Sequence, residues 1–190
     1  SAADRPLRFE RLSVLDGLSH SWVQAIVKDS RGFMWFGTQE GLDRYDGSSF
    51  RIYGKRDADF CGAPFSAVGT LFEDSRGRLW AGSTWAGPGL AVYDRAKDRF
   101  RCFPRTQEPT LLRVTAIAED RDGRLWVATD SGLDLFDPDR GSFLHFSHEP
   151  ARATSLPSDS VNAVRVDGRG RVWVGTTAGL ARASRSGEVV

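Results

Sequence analysis

The chain has 190 residues, 40% of them hydrophobic and 27% charged, the balance of a soluble globular protein long enough for one sizeable core. A net charge of +1 gives no electrostatic reason to expect nucleic acid or an anionic membrane surface as a partner. No apolar run approaches the roughly 20 residues that span a bilayer, so any membrane attachment would run through a segment outside this sequence.

The opening Ser1-Ala2-Ala3 fits a mature end after signal cleavage and fits an expression scar equally well. Of the 26 basic residues only Lys28, Lys55 and Lys97 are lysines, which reads as the codon bias of a GC-rich genome; bidentate anion recognition by arginine is the alternative. The two cysteines, Cys61 and Cys102, could pair in an oxidising compartment, though spacing alone does not establish a disulfide.

Along the chain the string D-x-x-G-x-x-W recurs four times. It runs Asp29–Gly32–Trp35, Asp74–Gly77–Trp80, Asp120–Gly123–Trp126 and Asp167–Gly170–Trp173. The tryptophans lie 45, 46 and 47 residues apart. A period near 45 residues means stacked copies of one unit. The stretch Leu7–Leu12 ahead of the first copy reads as an extra strand that closes a blade. The third copy shows the unit most cleanly, with short β-branched or aromatic runs at 114–119, 125–129, 132–136 and 143–146. Each is bounded by Asp, Gly, Pro or Ser, the pattern of four strands joined by tight turns. In the Asp-x-x-Gly turn the aspartate accepts backbone N–H bonds and glycine supplies a positive φ.

Four strands per repeat match a β-propeller blade. The expected fold is therefore all-β: four four-stranded antiparallel blades at about 22–53, 67–103, 113–146 and 160–190, forming part of a larger propeller. The repeated Asp, Gly and Trp residues are scaffold, with each indole filling the space between adjacent blades. Because repetition builds the scaffold, ligand contacts are expected where it fails.

Two tryptophans stand outside the repeated position. Trp85 sits in an insertion of the second copy beside Gly87-Pro88-Gly89, and is a candidate stacking platform for a sugar; a loop aromatic tucked onto its own blade is the alternative. Trp22 precedes the first strand and reads as core or as a second contact. Gln39 and Asp130 lie in the turns between second and third strands. Arg113 and Asn162 lie near the start of inner strands, where channel-lining residues sit. Solvated loop positions are the bland reading of all four.

The motif V-x-x-I/L-x-x-D-x-x-G-x-L-W-x-G-T-x-x-G-L resembles the two-component regulator propeller repeat. The opening block, with Asp16-Gly-Leu18-Ser, Gly37-Thr38, Gly41-Leu42 and Tyr45-Asp-Gly47, strengthens the resemblance, which covers about 10–190. It implies the periplasmic sensor region of a bacterial inner-membrane receptor, followed in the longer protein by a transmembrane helix and a histidine kinase or diguanylate cyclase. It also implies a small-molecule ligand, an oligosaccharide among the options, and no catalysis in this segment. Departures are the insertion after Ser83, Ala128 where glycine is usual, and a fourth copy reading Ala181-Arg-Ala-Ser184.

Enzyme readings find little support. His145-x-x-His148 falls at a strand end, where a spacing of three points side chains to opposite faces, so no metal or cofactor is expected. Propeller glycosidases and lyases remain an alternative, as does a protein-interaction propeller. An open arc of four blades would expose two apolar faces and free strand edges, so the piece alone is expected to self-associate.

Overall fold

The computed structural model describes residues 7–54, 67–85, 87, 89–105 and 112–183. After a capped 3-10 turn at Val14–Asp16, the described residues form fifteen strands. Blade 1 holds β1 (Val23–Lys28), β2 (Met34–Thr38), β3 (Gly41–Tyr45) and β4 (Phe50–Gly54). Blade 2 holds β5 (Val68–Glu73), β6 (Leu79–Ser83), β7 (Leu90–Asp94) and β8 (Arg99–Phe103). Blade 3 holds β9 (Val114–Glu119), β10 (Leu125–Thr129), β11 (Gly132–Asp137) and β12 (Ser142–Phe146). Blade 4 holds β13 (Val161–Val166), β14 (Val172–Thr176) and β15 (Gly179–Ala183) among the described residues. Each blade is an antiparallel meander in chain order. The segment 7–12, expected as a further strand, pairs with no strand among the described residues, where Leu7 and Phe9 stand exposed. Sheet edges past β15 fall outside the described residues.

The first strands lie side by side, β1 on β5, β5 on β9 and β9 on β13. Two threonines tie them: Thr70 Oγ1 donates to Val114 O at 3.0 Å, and Thr115 Oγ1 donates to Val161 O at 2.6 Å. Each first strand thus runs along the inner edge of its blade, from a rim of long loops to a rim of Asp-x-x-Gly turns.

The turn follows from its residues. In blade 1, Asp29 Oδ1 accepts the N–H groups of Arg31 and Phe33 at 3.0 Å, while Gly32, at φ 96°, donates to Asp29 O. The same bonds recur at Asp74, Asp120 and Asp167. The second oxygen does what the sequence reading did not foresee. It accepts the indole N–H six residues on: Trp35 at 3.0 Å, Trp80 at 2.8 Å and Trp173 at 3.0 Å. In blade 3 the oxygen goes to Arg124 instead, and Trp126 Nε1 has no partner among the described residues. Arg78, Arg124 and Arg171 occupy one repeat position and each pairs with its own turn aspartate. Blade 1 has Phe33 there, and Arg95 reaches over from blade 2 to Asp29 at 3.1 Å.

Apolar residues from neighbouring blades make three cores. Trp35, Leu42 and Tyr53 pack on Leu71, Ala81, Ala91, Tyr93 and Phe100 between blades 1 and 2. Trp80 and Leu90 pack on Val114, Val127 and Phe136 between blades 2 and 3. Trp126 and Leu133 pack on Val164, Val174 and Ala181 between blades 3 and 4. Trp35, Trp80 and Trp126 are therefore wedges aimed at the following blade. Close approach requires glycine at two seams: a Cβ on Gly37 would meet the Val68 side chain at 3.0 Å, and one on Gly82 would meet Val114 at 2.6 Å. Polar staples reinforce the stacking on the turn rim. Glu73 receives Ser30 N and Oγ, both at 2.8 Å, and Glu119 receives Ser75 N and Oγ, both at 2.7 Å. Cys102 is disulfide-bonded; Cys61, the other cysteine of the chain, lies outside the described residues.

Candidate functional site

All four first strands carry an irregularity at the same place. Register shifts fall at Val23/Ala25, Val68/Thr70, Val114/Ala116 and Val161/Ala163. The bulged residues are Gln24, Gly69, Thr115 and Asn162, at the loop-rim end of the innermost strands. A bulge re-aims its side chain and leaves pairing incomplete.

At the seam of blades 1 and 2 this bulge row gathers unusual groups. A Cβ on Gly69 would collide with Thr84 and with Gln24 Oε1, so the glycine leaves room for both side chains over one point. Thr84 is held there by its N–H to Ala67 O at 3.0 Å. Its hydroxyl is buried and has no partner among the described residues. An unpartnered buried hydroxyl costs about 1–3 kcal/mol unless something bonds to it. Trp85 follows Thr84 directly and Trp22 precedes the Gln24 strand by one residue. Both indoles are exposed, Trp22 at 57% and Trp85 at 64%, whereas Trp35 is 0% exposed. The non-repeating tryptophans are therefore available at a surface, and the core reading of Trp22 does not hold: its N–H bonds His20 Nδ1 at 3.0 Å in an exposed turn.

The other expected residues lie elsewhere along the same rim. Gln39 is half-buried in the β2–β3 turn. Arg113 and Asp130 are brought together: Arg113 N donates to Asp130 Oδ1 at 3.3 Å and Asp130 N donates to Arg113 O at 3.2 Å. Asn162 is exposed on the blade 4 bulge. No hydrogen bond or ion pair among the described residues joins them to Trp22, Gln24, Thr84 or Trp85.

The sequence reading missed two buried carboxylates. Asp43 and Asp134 hold the same repeat position in β3 and β11 and are both fully buried. Asp43 Oδ2 accepts Ser19 N at 2.9 Å and Ser19 Oγ at 2.8 Å; Asp134 Oδ1 meets His145 Nδ1 at 2.7 Å and Arg105 at 3.6 Å. Each has one oxygen without a partner among the described residues. Burial pushes both carboxyls above the usual range, and these bonds pull back only part of the way. The signal was present as Gly-Leu-Asp at 41–43 and 132–134, a charge inside an apolar strand.

His145 is thus spent on Asp134, and His148 Nδ1 lies 2.6 Å from Leu156 O. Among the described residues no three His, Cys, Asp or Glu side chains assemble to hold a metal. On the opposite rim a pocket of about 430 Å³ is lined by Arg31, Arg76, Arg78 and Arg95. Asp139, Asp74, Asp29 and Glu73 already pair with the last three.

Comparisons place this geometry among known proteins. Residues 85–189 match the family model of the SMP-30/Gluconolactonase/LRE-like region, and residues 17–40 and 62–85 match the two component regulator propeller. Over 51 residues the chain is 41% identical to Histidine kinase P4 of Formosa agariphila, a stretch covering 27% of this chain and 4% of that protein. The extracellular domain of BT4673 from B. thetaiotaomicron, described as a one component system, superposes with a TM-score of 0.73 at 22% identity, covering 88% of this chain and 22% of that one. Virginiamycin B lyase from Staphylococcus aureus superposes with a TM-score of 0.67 at 16% identity, covering 92% of this chain and 56% of that one. Identities this low carry the propeller fold alone.

Proposed function

We propose that this chain, which belongs to the SMP-30/Gluconolactonase/LRE-like region family by its residues 85–189 and matches the two component regulator propeller at 17–40 and 62–85, is a non-catalytic, extracytoplasmic ligand-sensing propeller of a bacterial receptor, with a small oligosaccharide as ligand. The observation that supports this reading is the cluster at the seam of blades 1 and 2. Gln24 and Thr84 come together there over Gly69, the Thr84 hydroxyl has no partner among the described residues, and Trp22 and Trp85, close to them in sequence, are both exposed. Indole faces stack on the apolar faces of sugar rings, while an amide and a hydroxyl hydrogen-bond ring substituents. The disulfide at Cys102 suits an oxidising, extracytoplasmic compartment. The output module and membrane anchor of the receptor would lie in the longer protein.

A thermal-shift screen with neutral oligosaccharides tests the reading. A stabilising hit that Trp85→Ala abolishes supports it, and a hit unaffected by Trp85→Ala overturns the site. The match over residues 85–189 favours a second reading, a propeller lactonase or lyase. Turnover of a lactone by the purified chain would decide for that alternative.

A further inference from the structure

The pocket on the turn rim, between blades 1 and 2, departs from the repeat in its charges. The Asp-x-x-Gly turns carry an arginine at their third position in blades 1, 2 and 4, as Arg31, Arg76 and Arg169. Arg76 crosses to the following blade: its Nη1 donates to Asp139 Oδ1 at 2.8 Å, and a Cβ on Gly123 of blade 3 would lie 3.7 Å from its Nη2. Asp139 belongs to the turn between β11 and β12. The turn between β7 and β8 has the same length and the same bonds. Asp94 Oδ1 accepts Ala96 N and Lys97 N there, as Asp137 Oδ1 accepts Asp139 N and Arg140 N. Asp98, at φ 49°, stands where Gly141 stands at 67°. By this register the residue that should answer Arg31 is Ala96, which has no carboxylate. Blade 2 also has Arg95 where blade 3 has Pro138. Relative to the next seam, this one has lost an acid and gained a guanidinium.

The ion pairs around the pocket leave two donor groups over. Arg95 divides its donors among Asp29 at 3.1 Å, Glu73 at 3.1 Å and Gly77 O at 2.9 Å. Asp94 serves its own turn and lies 3.6 Å from Lys97 Nζ. Arg78 Nε donates to Asp74 at 2.5 Å, but its Nη2 is buried and has no acceptor among the described residues. Arg31 lines the pocket, and its guanidinium has no partner among the described residues. Arg76 is held only by Asp139, whose side chain is 64% exposed, and an ion pair that exposed is weak.

We propose that this pocket binds a phosphate-class oxyanion between Arg31 of blade 1 and Arg76 and Arg78 of blade 2, the ligand replacing Asp139 on Arg76. A guanidinium fork takes two oxygens of such an anion at once. A carboxylate has two oxygens in all, whereas a phosphate group has three or four, enough for arginines arriving from both blades. The volume of about 430 Å³ admits the free ion or a phosphate carried on a small organic molecule. The site lies on the rim opposite Trp85, and either site can fail without the other.

Calorimetric titration of the 190-residue chain with inorganic phosphate at physiological ionic strength tests this. The wild type is expected to bind one phosphate saturably. Arg31→Gln removes the unpaired guanidinium, and Ala96→Asp restores in blade 2 the acid that blade 3 has; both positions are exposed, so the melting curves should not change. Each variant is expected to weaken binding by about tenfold or more. Arg169→Gln, at the same turn position in blade 4 and outside the pocket, is expected to bind as the wild type does. No saturable binding to the wild type overturns the proposal, and so does wild-type affinity in Arg31→Gln. An equal loss in Arg169→Gln also overturns it, because it would mean an adventitious ion only on an arginine-rich rim. Glucose 6-phosphate, run alongside, separates the two sources: tighter binding than phosphate assigns the site to a phosphorylated molecule, and weaker binding assigns it to the free ion.

Discussion

The indole nitrogen of Trp35 donates to Asp29 Oδ2 at 3.0 Å, across six residues and from the first buried position after the turn. One carboxylate therefore closes the hairpin with one oxygen and fixes the inter-blade wedge with the other. The turn and the wedge are a single device, and three of the four blades use it.

Replacing that tryptophan separates packing from hydrogen bonding. Trp35→Phe and Trp126→Phe remove similar apolar volume, but only Trp35 gives up an indole bond, because Trp126 Nε1 has no partner among the described residues. Trp35→Phe should lower stability by about 1–3 kcal/mol more than Trp126→Phe. Urea unfolding of both variants checks this, and equal losses would remove the bond from the account.

The seams predict a contrast between glycines. In Gly82→Ala the new methyl runs into Val114, which should cost about 1–3 kcal/mol. Gly175→Ala meets open space apart from Ala163 and should stay within about 0.5 kcal/mol of wild type in the monomer. Thermal melts of the two variants read the difference.

Acid should unfold the chain partly through its turn aspartates. Burial raises the Asp29 carboxyl, but hydrogen bonds from Trp35, Arg95 and the turn N–H groups outweigh it and hold it below its ordinary value of 3.8. Its contribution is therefore present above 3.8 and lost as pH falls through the lowered value. Asp134 runs the other way: burial raises its carboxyl, so its contribution is full below 3.8 and is lost as pH rises through the raised value. Stability measured against pH should fall less steeply on acidification in Asp29→Asn, and should rise relative to wild type towards neutral pH in Asp134→Asn. Parallel curves for wild type and variants would contradict both assignments.

Reduction offers a further check. Opening the disulfide at Cys102 should lower stability by about 2–4 kcal/mol, visible as a drop in Tm on adding a phosphine reductant. An unchanged melt would mean that the bond contributes nothing to the fold.

The architecture was legible in the sequence because the repeat is dense in residues with one physical use. Gly32, Gly77, Gly123 and Gly170 all take positive φ, and Trp35, Trp80 and Trp126 all fill a seam. The contacts between copies of the repeat were not legible. The Glu73–Ser30 staple and the reach of Arg95 to Asp29 depend on which blade neighbours which, and no local pattern encodes that. The candidate site was read in part. Trp22 and Trp85 announce themselves by breaking the repeat, but the approach of Gln24 and Thr84, which lie near them in sequence, rests on Gly69, a residue whose importance is the side chain it lacks. Asp43 and Asp134 were overlooked because acidic residues elsewhere in the chain sit in turns that explain them.

Titration calorimetry with neutral oligosaccharides, run on the wild type and on Trp85→Ala, tests most directly whether function resides where the repeat fails. The account predicts saturable binding to the wild type and its loss in Trp85→Ala, with the variant's melting curve unchanged. Wild-type affinity in Trp85→Ala, or no binding of any oligosaccharide to the wild type, would contradict it.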